Sequence, residues 1–242
     1  MLRRNVFLPL ALSVFIALSV GAAKQLNFLA PSALNVMRLL PDPPTLNSEE
    51  GGAEIDTLLH LSRHRTDAQK ARILNEDEFS VFTFADVIGP WFTADNCPKT
   101  AAFFDKVIGD TKIFTNIAKK HWARPRPYIS VPTLQTFGQR EKSDSYPSGH
   151  STRATVCAEI LAQIFPDKRT ALLERGRQIG WDRVIGGLHY PSDIAAGRVL
   201  GHALVKEFLA SPEFNSDLAA VQAELQSATH TATTQPAAAT AP

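Results

Sequence analysis

Apolar side chains recur at helical spacing along most of this 242-residue chain, and this periodicity restricts the fold more than any other feature. The longest such segment is residues 97–123, where apolar residues three and four positions apart form one face of an amphipathic helix. Residues 151–165, 168–186 and 192–211 show further helical patterns. No alternating stretch of useful length indicates a strand. The sequence therefore predicts an all-α, single-domain helical bundle over residues 51–225.

The N-terminus has the three-part layout of a secretory signal peptide. Arg3 and Arg4 precede a mostly apolar run over residues 6–20, and small residues follow. The run is short for a membrane span, which needs ~20 apolar residues. We therefore expect residues 1–23 to be cleaved and the mature protein to be periplasmic or secreted, with an uncleaved membrane anchor as the alternative.

The segments on either side of the predicted helical domain lack helical periodicity. Residues 24–50 are rich in proline, so we expect an irregular segment there. Residues 226–242 are of low complexity, dominated by Ala, Thr and Pro, and are predicted to be a disordered tail. No segment after the signal is apolar for long enough to span a membrane, so the mature chain is expected to have no membrane span.

Composition excludes some function classes. Loss of residues 1–23 leaves 23 basic and 24 acidic residues, a near-neutral balance that gives no electrostatic case for a nucleic-acid partner. The chain has two cysteines, Cys97 and Cys157, which are outside any CxxC arrangement and so do not form the usual zinc or iron–sulfur sites. A disulfide between them and two separate buried thiols both remain open.

Three clusters combine cations, histidines and turn residues next to apolar helices. The first is "AKKHWARPRPY" at a predicted helix end, the second is "SYPSGH" before the helix over 151–165, and the third is "GWDRVIGGLHYPSD". Their candidate site residues are Lys119, Arg126, Ser148, Gly149, His150, Arg183, His189 and Asp193.

Each cluster alone has an ordinary structural explanation. Cations stabilise helix C-termini, and a Ser-Gly turn before a helix is a usual N-cap. A helix N-terminus can also bind an anion, since its backbone N–H groups are free. Asp193 follows His189 by four residues, so a helix beginning near Pro191 would let the carboxylate orient the imidazole.

Together, the order and spacing of the clusters resemble the three-part signature of the superfamily of type 2 phosphatidic acid phosphatases and vanadium haloperoxidases. Lys119 is followed by Arg126-Pro127, then by the Pro-Ser-Gly-His run, then by the third cluster, over residues 119–193. The flanking "FTFADVIGPWFT" and "DIAAGRVLGHA" further resemble the class A bacterial nonspecific acid phosphatases. One position departs from the pattern: Asp182 stands where the family usually has Ser, and we expect it to face away from the site or to pair with a cation.

The resemblance implies an active site at converging helix ends, with no metal ion and no cofactor. Lys119, Arg126, Arg183, Ser148 and Gly149 would bind a phosphoryl group, and Arg binds its oxygens bidentately. The implied catalytic residues are His189 as nucleophile, Asp193 as its orienting carboxylate and His150 as the general acid and base.

The implied function is a metal-independent acid phosphatase that hydrolyses small phosphate monoesters through a phosphohistidine, with phosphotransfer to alcohols as a further activity. A homo-oligomer is a further expectation from the family. The alternatives are a vanadate-dependent haloperoxidase, a lipid phosphate hydrolase and a noncatalytic phosphate-binding module. Outside the signature, His60 and His64 are four residues apart, a spacing that can bind a metal but that fits a solvated helix face better.

Overall fold

The computed structural model of the protein describes residues 26–234, and every regular element in that range is a helix. The predicted signal peptide and residues 235–242 lie outside the described residues. The all-α prediction is confirmed. The α-helices, in chain order, are α1 (Val36–Leu39), α2 (Glu49–Arg63), α3 (Asp67–Asn75), α4 (Ala85–Ile88), α5 (Pro98–Trp122), α6 (Pro127–Ser130), α7 (Gly149–Ile164), α8 (Arg169–Ile185), α9 (Pro191–Ala210) and α10 (Pro212–Thr234).

Helix α7 is at the centre of the bundle, where α8, α9 and α5 pack around it. It is buried along nearly its whole length. Glycines let the neighbouring helices approach it closely: a Cβ added at Gly176 of α8 would lie 2.8 Å from the Cβ of Ala158, and one at Gly201 of α9 would lie 2.7 Å from the Cβ of Thr155. Gly197 of α9 makes a similarly close approach, since an added Cβ there would lie 2.8 Å from the Cβ of Ser151.

Helices α5 and α10 pack against each other and enclose an aromatic cluster. The ring of Phe214 lies 5.1 Å from that of Phe103, 5.3 Å from that of Phe208 and 5.5 Å from that of Phe28, centroid to centroid. Aromatic pairs at these separations contribute to stability beyond their buried area. These contacts hold Phe28, near the start of the described chain, against α5, α9 and α10.

Two predicted boundaries need correction. The segment predicted to be irregular contains α1, and α2 begins at Glu49 because the side chain of Ser48 caps it by accepting a hydrogen bond from the amide of Gly51 (3.1 Å). Helix α10 continues past residue 225 to Thr234, so the start of the predicted tail is helical. Between α3 and α5, a 3-10 helix (Val81–Phe84) leads directly into the short α4.

Two further features bear on the predictions. Cys97 and Cys157 are both free and buried, which corresponds to the alternative of two separate thiols. Among residues 26–234, no helix is both long enough and apolar enough to cross a lipid bilayer.

Candidate active site

The first cluster lies where α5 ends. Ala123 adopts a left-handed conformation (φ 44°) that terminates the helix, and Lys119 is in its last turn. The ammonium group of the buried Lys119 donates to the backbone carbonyls of Asp144 and Ser145, the latter at 3.5 Å. Burial, and then the neighbouring charge of Arg126, lower the pKa of Lys119 to about 7.

The second cluster forms the start of α7. Ser148 is the N-cap and accepts a hydrogen bond from the amide of Ser151 (3.3 Å). Its own amide donates to the backbone carbonyl of Asp193 (2.9 Å), which fixes the start of α7 against α9. His150, in the first turn, is buried, and its Nε2 lies 3.1 Å from the backbone carbonyl of Glu76. A carbonyl only accepts, so Nε2 carries a proton and Nδ1 faces the other way.

The third cluster is organised around Asp193 in the first turn of α9, which begins at Pro191 as predicted. One oxygen of Asp193 accepts hydrogen bonds from the Ser145 hydroxyl and the Tyr190 amide, and it lies 3.0 Å from Nδ1 of His189. Its other oxygen accepts from Arg124 (2.7 Å). Because this carboxylate accepts hydrogen bonds, Nδ1 of His189 carries the proton and Nε2 retains its lone pair.

Nε2 of His189 lies 2.8 Å from Nη1 of Arg126, which also donates to the Leu188 carbonyl (3.0 Å). Burial, then the charges of Arg126 and Lys119, hold the pKa of His189 well below its usual value. The imidazole is therefore neutral, with its lone pair directed toward a cation. A neutral imidazole is the form that can act as a nucleophile.

Arg183, at the end of α8, is buried and held by one carboxylate. Its two terminal nitrogens each lie 3.0 Å from the same oxygen of Asp77, while its Nε is a buried donor with no hydrogen-bond partner among the described residues. The neighbouring Asp182 points away and binds Arg72 through two hydrogen bonds of 3.0 and 3.1 Å. The expectation that Asp182 pairs with a cation is confirmed.

These groups converge on one cavity. Its lining includes four of the predicted site residues, Arg126, His150, Arg183 and His189, together with Asp77, Gln139, Glu141 and Leu188. The other predicted residues lie behind this lining: Asp193 supports His189, Lys119 is against the loop before α7, and Ser148 and Gly149 form the first turn of α7.

Several residues of the site were not assigned a role from the sequence. Arg124 lies in the first cluster, and it links Asp193 to Glu54 of α2 through hydrogen bonds of 2.7 and 2.8 Å. Asp77 and Glu141 come from loops without a periodic pattern, so only the fold brings their carboxylates next to the cations. The sequence contains no local signal for these two.

Candidate metal ligands do not cluster in the part of the chain that the structure describes. No group of three or more His, Cys, Asp or Glu side chains is arranged to hold a metal ion between residues 26 and 234. His60 in the last turn of α2 and His64, its C-cap residue, are both exposed, and their ring centroids lie 4.4 Å apart.

Known proteins with similar sequences include acid phosphatases. A family model described as the PAP2 superfamily matches residues 106–216. The chain is 30% identical to a non-specific acid phosphatase of Providencia stuartii over 221 residues, which are 85% of this chain and 89% of that relative. It is 29% identical to a non-specific acid phosphatase of Salmonella typhi over 233 residues, 90% of each chain.

A similar fold also occurs among solved structures. The first transmembrane PAP2 type phosphatidylglycerolphosphate phosphatase from Bacillus subtilis matches with a TM-score of 0.50 at 20% identity, covering 66% of this chain and 85% of that one. Because the two sequences are only 20% identical, the match supports the helical fold alone.

Proposed function

The chain belongs to the PAP2 superfamily and to its non-specific acid phosphatases, and from that membership we propose that it hydrolyses small phosphate monoesters through a phosphohistidine on His189, without a metal ion. One observation carries the proposal. His189 lines the cation-rich cavity with Nδ1 directed at Asp193, and its Nε2 lone pair accepts a hydrogen bond from Arg126, which must shift to a phosphoryl oxygen when the ester binds. Simple anion binding does not need a nucleophile oriented in this way.

In the first step, the lone pair on Nε2 of His189 attacks phosphorus and the bond between phosphorus and the ester oxygen breaks. The imidazole becomes positively charged, and Asp193 stabilises that charge.

His150, protonated on both ring nitrogens, transfers the proton on Nδ1 to the leaving alcohol and becomes neutral; its Nε2 is directed at the Glu76 carbonyl, and its Nδ1 lies 3.5 Å from the cavity-lining Glu141. Burial, then the charges of Arg153 and Arg183, lower the pKa of His150, so this protonated form requires acidic pH.

In the second step, water attacks the phosphohistidine and the nitrogen–phosphorus bond breaks. His150, now neutral, accepts the proton of the attacking water, and inorganic phosphate is released. An alcohol in place of water would give phosphotransfer by the same route.

The protein's own cations replace a metal ion in this scheme. Arg126 and Arg183 line the cavity, and the unbonded Nε of Arg183 supplies a donor for a phosphoryl oxygen. Lys119, which lies behind the cavity lining, adds a third positive charge. Positioning and electrostatic stabilisation of the transferring group are sufficient for this reaction class.

The proposed site suits acidic conditions. A nucleophilic histidine must be neutral. Because the pKa of His189 is lowered, its imidazole stays neutral at acidic pH values where an ordinary histidine is protonated. The N-terminal sequence pattern, which lies outside the described residues, supports export to the periplasm or the medium.

Hydrolysis of p-nitrophenyl phosphate at acidic pH tests the function. We expect turnover that is unchanged by a metal chelator and inhibited by vanadate. Loss of turnover on chelation, restored by added metal, would contradict metal independence. Vanadate-dependent bromide oxidation would instead indicate a haloperoxidase.

A further inference from the structure

The loop between α6 and α7 crosses the cavity and inserts a carboxylate into it. The loop is held at Phe137 and Gln139, whose amides donate to the Gly186 carbonyl (2.8 Å) and to Asp77 (2.9 Å). Gly138 lets the backbone approach the site, because it has a φ of 93° and an added Cβ would lie 3.1 Å from Nη2 of Arg183. From this loop Glu141 extends into the lining of the cavity.

The carboxylate of Glu141 bridges two groups of the proposed reaction. One oxygen accepts a hydrogen bond from Nη2 of Arg126 (2.8 Å) and another from the Ser143 hydroxyl (3.1 Å). The other oxygen lies 3.5 Å from Nδ1 of His150. The Glu141 side chain is 39% exposed while Arg126 and His150 are almost fully buried, so it reaches them from the solvent side.

This carboxylate is charged over the whole acidic range. Burial raises its pKa, but the neighbouring cationic groups, Arg126 first, outweigh that effect and bring the pKa of Glu141 down to about 2. Two negatively charged groups cannot share Arg126 and His150 without strong repulsion.

We propose that Glu141 is a substrate-competing residue, whose carboxylate occupies the place of a phosphoryl oxygen between Arg126 and His150 and must leave when phosphate binds. The inference rests on the proposed phosphatase site. Displacement is feasible because Glu141 is on a loop and partly exposed. An incoming phosphoryl group replaces the hydrogen bonds that Glu141 gives up, whereas a neutral molecule does not, so Glu141 restricts the site to anionic substrates.

The test compares the binding of inorganic phosphate by the wild type and by Glu141→Gln, measured by titration calorimetry. Glutamine keeps the size of the side chain and removes its charge, so we expect the Kd of phosphate to fall roughly tenfold, as for one charged hydrogen bond. The KM for p-nitrophenyl phosphate should fall in parallel. Glu141→Ala, which removes the contact entirely, should act in the same direction.

Glu78→Gln is the matched control, because Glu78 is an exposed carboxylate next to the cavity-lining Asp77. It should leave the Kd of phosphate unchanged. An equal or higher Kd in Glu141→Gln would overturn the inference, and if that protein still hydrolyses p-nitrophenyl phosphate, the proposed function stands. If the wild type neither binds phosphate nor hydrolyses the ester, both are overturned.

Discussion

The two arginines that line the site are each paired with a carboxylate. Arg126 binds Glu141 and Arg183 binds Asp77. Buried cations without a partner are costly, so these carboxylates stabilise the folded site. A phosphate ester must compete with these two carboxylates for the arginines. The pairing therefore links the stability of the folded protein to its affinity for substrate.

Lys119 gives a prediction for the pH dependence. Its pKa of about 7 means that raising the pH through 7 removes its positive charge and weakens phosphate binding. We expect kcat/KM to fall above that value, by at most about tenfold per pH unit. In Lys119→Arg the side chain stays charged, so this alkaline limb should move to higher pH.

Lys120→Arg is the control for that measurement, because Lys120 is the exposed neighbour of Lys119 on the same helix. Its pH profile of kcat/KM should match that of the wild type. An unchanged alkaline limb in Lys119→Arg would assign the limb to another group.

At the scale of elements, the contact between α7 and α9 positions the first turn of α7. A Cβ added at Gly197 would lie 2.8 Å from the carbonyl oxygen of Ser148 and 2.8 Å from the Cβ of Ser151. Gly197→Ala should therefore displace the first turn of α7, lower the free energy of unfolding by about 1–3 kcal/mol and reduce kcat/KM. Denaturant unfolding and steady-state kinetics measure the two effects.

Gly52→Ala provides the comparison, since an added Cβ there meets no atom within 4 Å. Alanine favours a helix more than glycine does, so this variant should be more stable by roughly 0.5–1 kcal/mol. Equal effects of the two substitutions would show that the α7–α9 contact is not close.

The helices were predictable from the sequence, and parts of the site were not. The apolar spacing over residues 97–123 predicts α5, and the spacing of His189 and Asp193 predicts their contact, since both depend on local geometry. Glu141 and Asp77 come from loops, where side-chain position depends on tertiary packing. The end of α10 was missed because Ala and Thr carry little periodic signal, and its helix is stabilised by packing against α5.

At the scale of the whole molecule, α5 forms hydrogen bonds with segments near both ends of the described chain. Near its middle, the buried Asp110 accepts hydrogen bonds from the amides of Asn27 and Phe28, both at 2.8 Å. At its start, Glu224 of α10 accepts hydrogen bonds from the amides of Lys99 (2.9 Å) and Thr100 (2.8 Å) and so caps the helix from a distance in sequence. Neither carboxylate lines the cavity.

Glu224→Ala should thus lower stability without changing the chemistry. Loss of these hydrogen bonds leaves donors unpaired, which costs about 1–3 kcal/mol and lowers Tm, while kcat/KM at low temperature stays at the wild-type value. Asp217→Ala breaks the exposed pair with Lys106 between the same two helices and should cost less than about 1 kcal/mol. A loss of activity in folded Glu224→Ala would contradict this separation.

Phosphoryl transfer to His189 is the central step of the proposed mechanism. Rapid acid-free quenching of the wild type with radiolabelled p-nitrophenyl phosphate, followed by peptide mapping, should locate an acid-labile, alkali-stable phosphate on that residue. His189→Ala should lose both the label and turnover. His150→Ala should accumulate the label, because p-nitrophenolate leaves without a proton while hydrolysis lacks its base. A label on another residue, or turnover retained in His189→Ala, would contradict the mechanism.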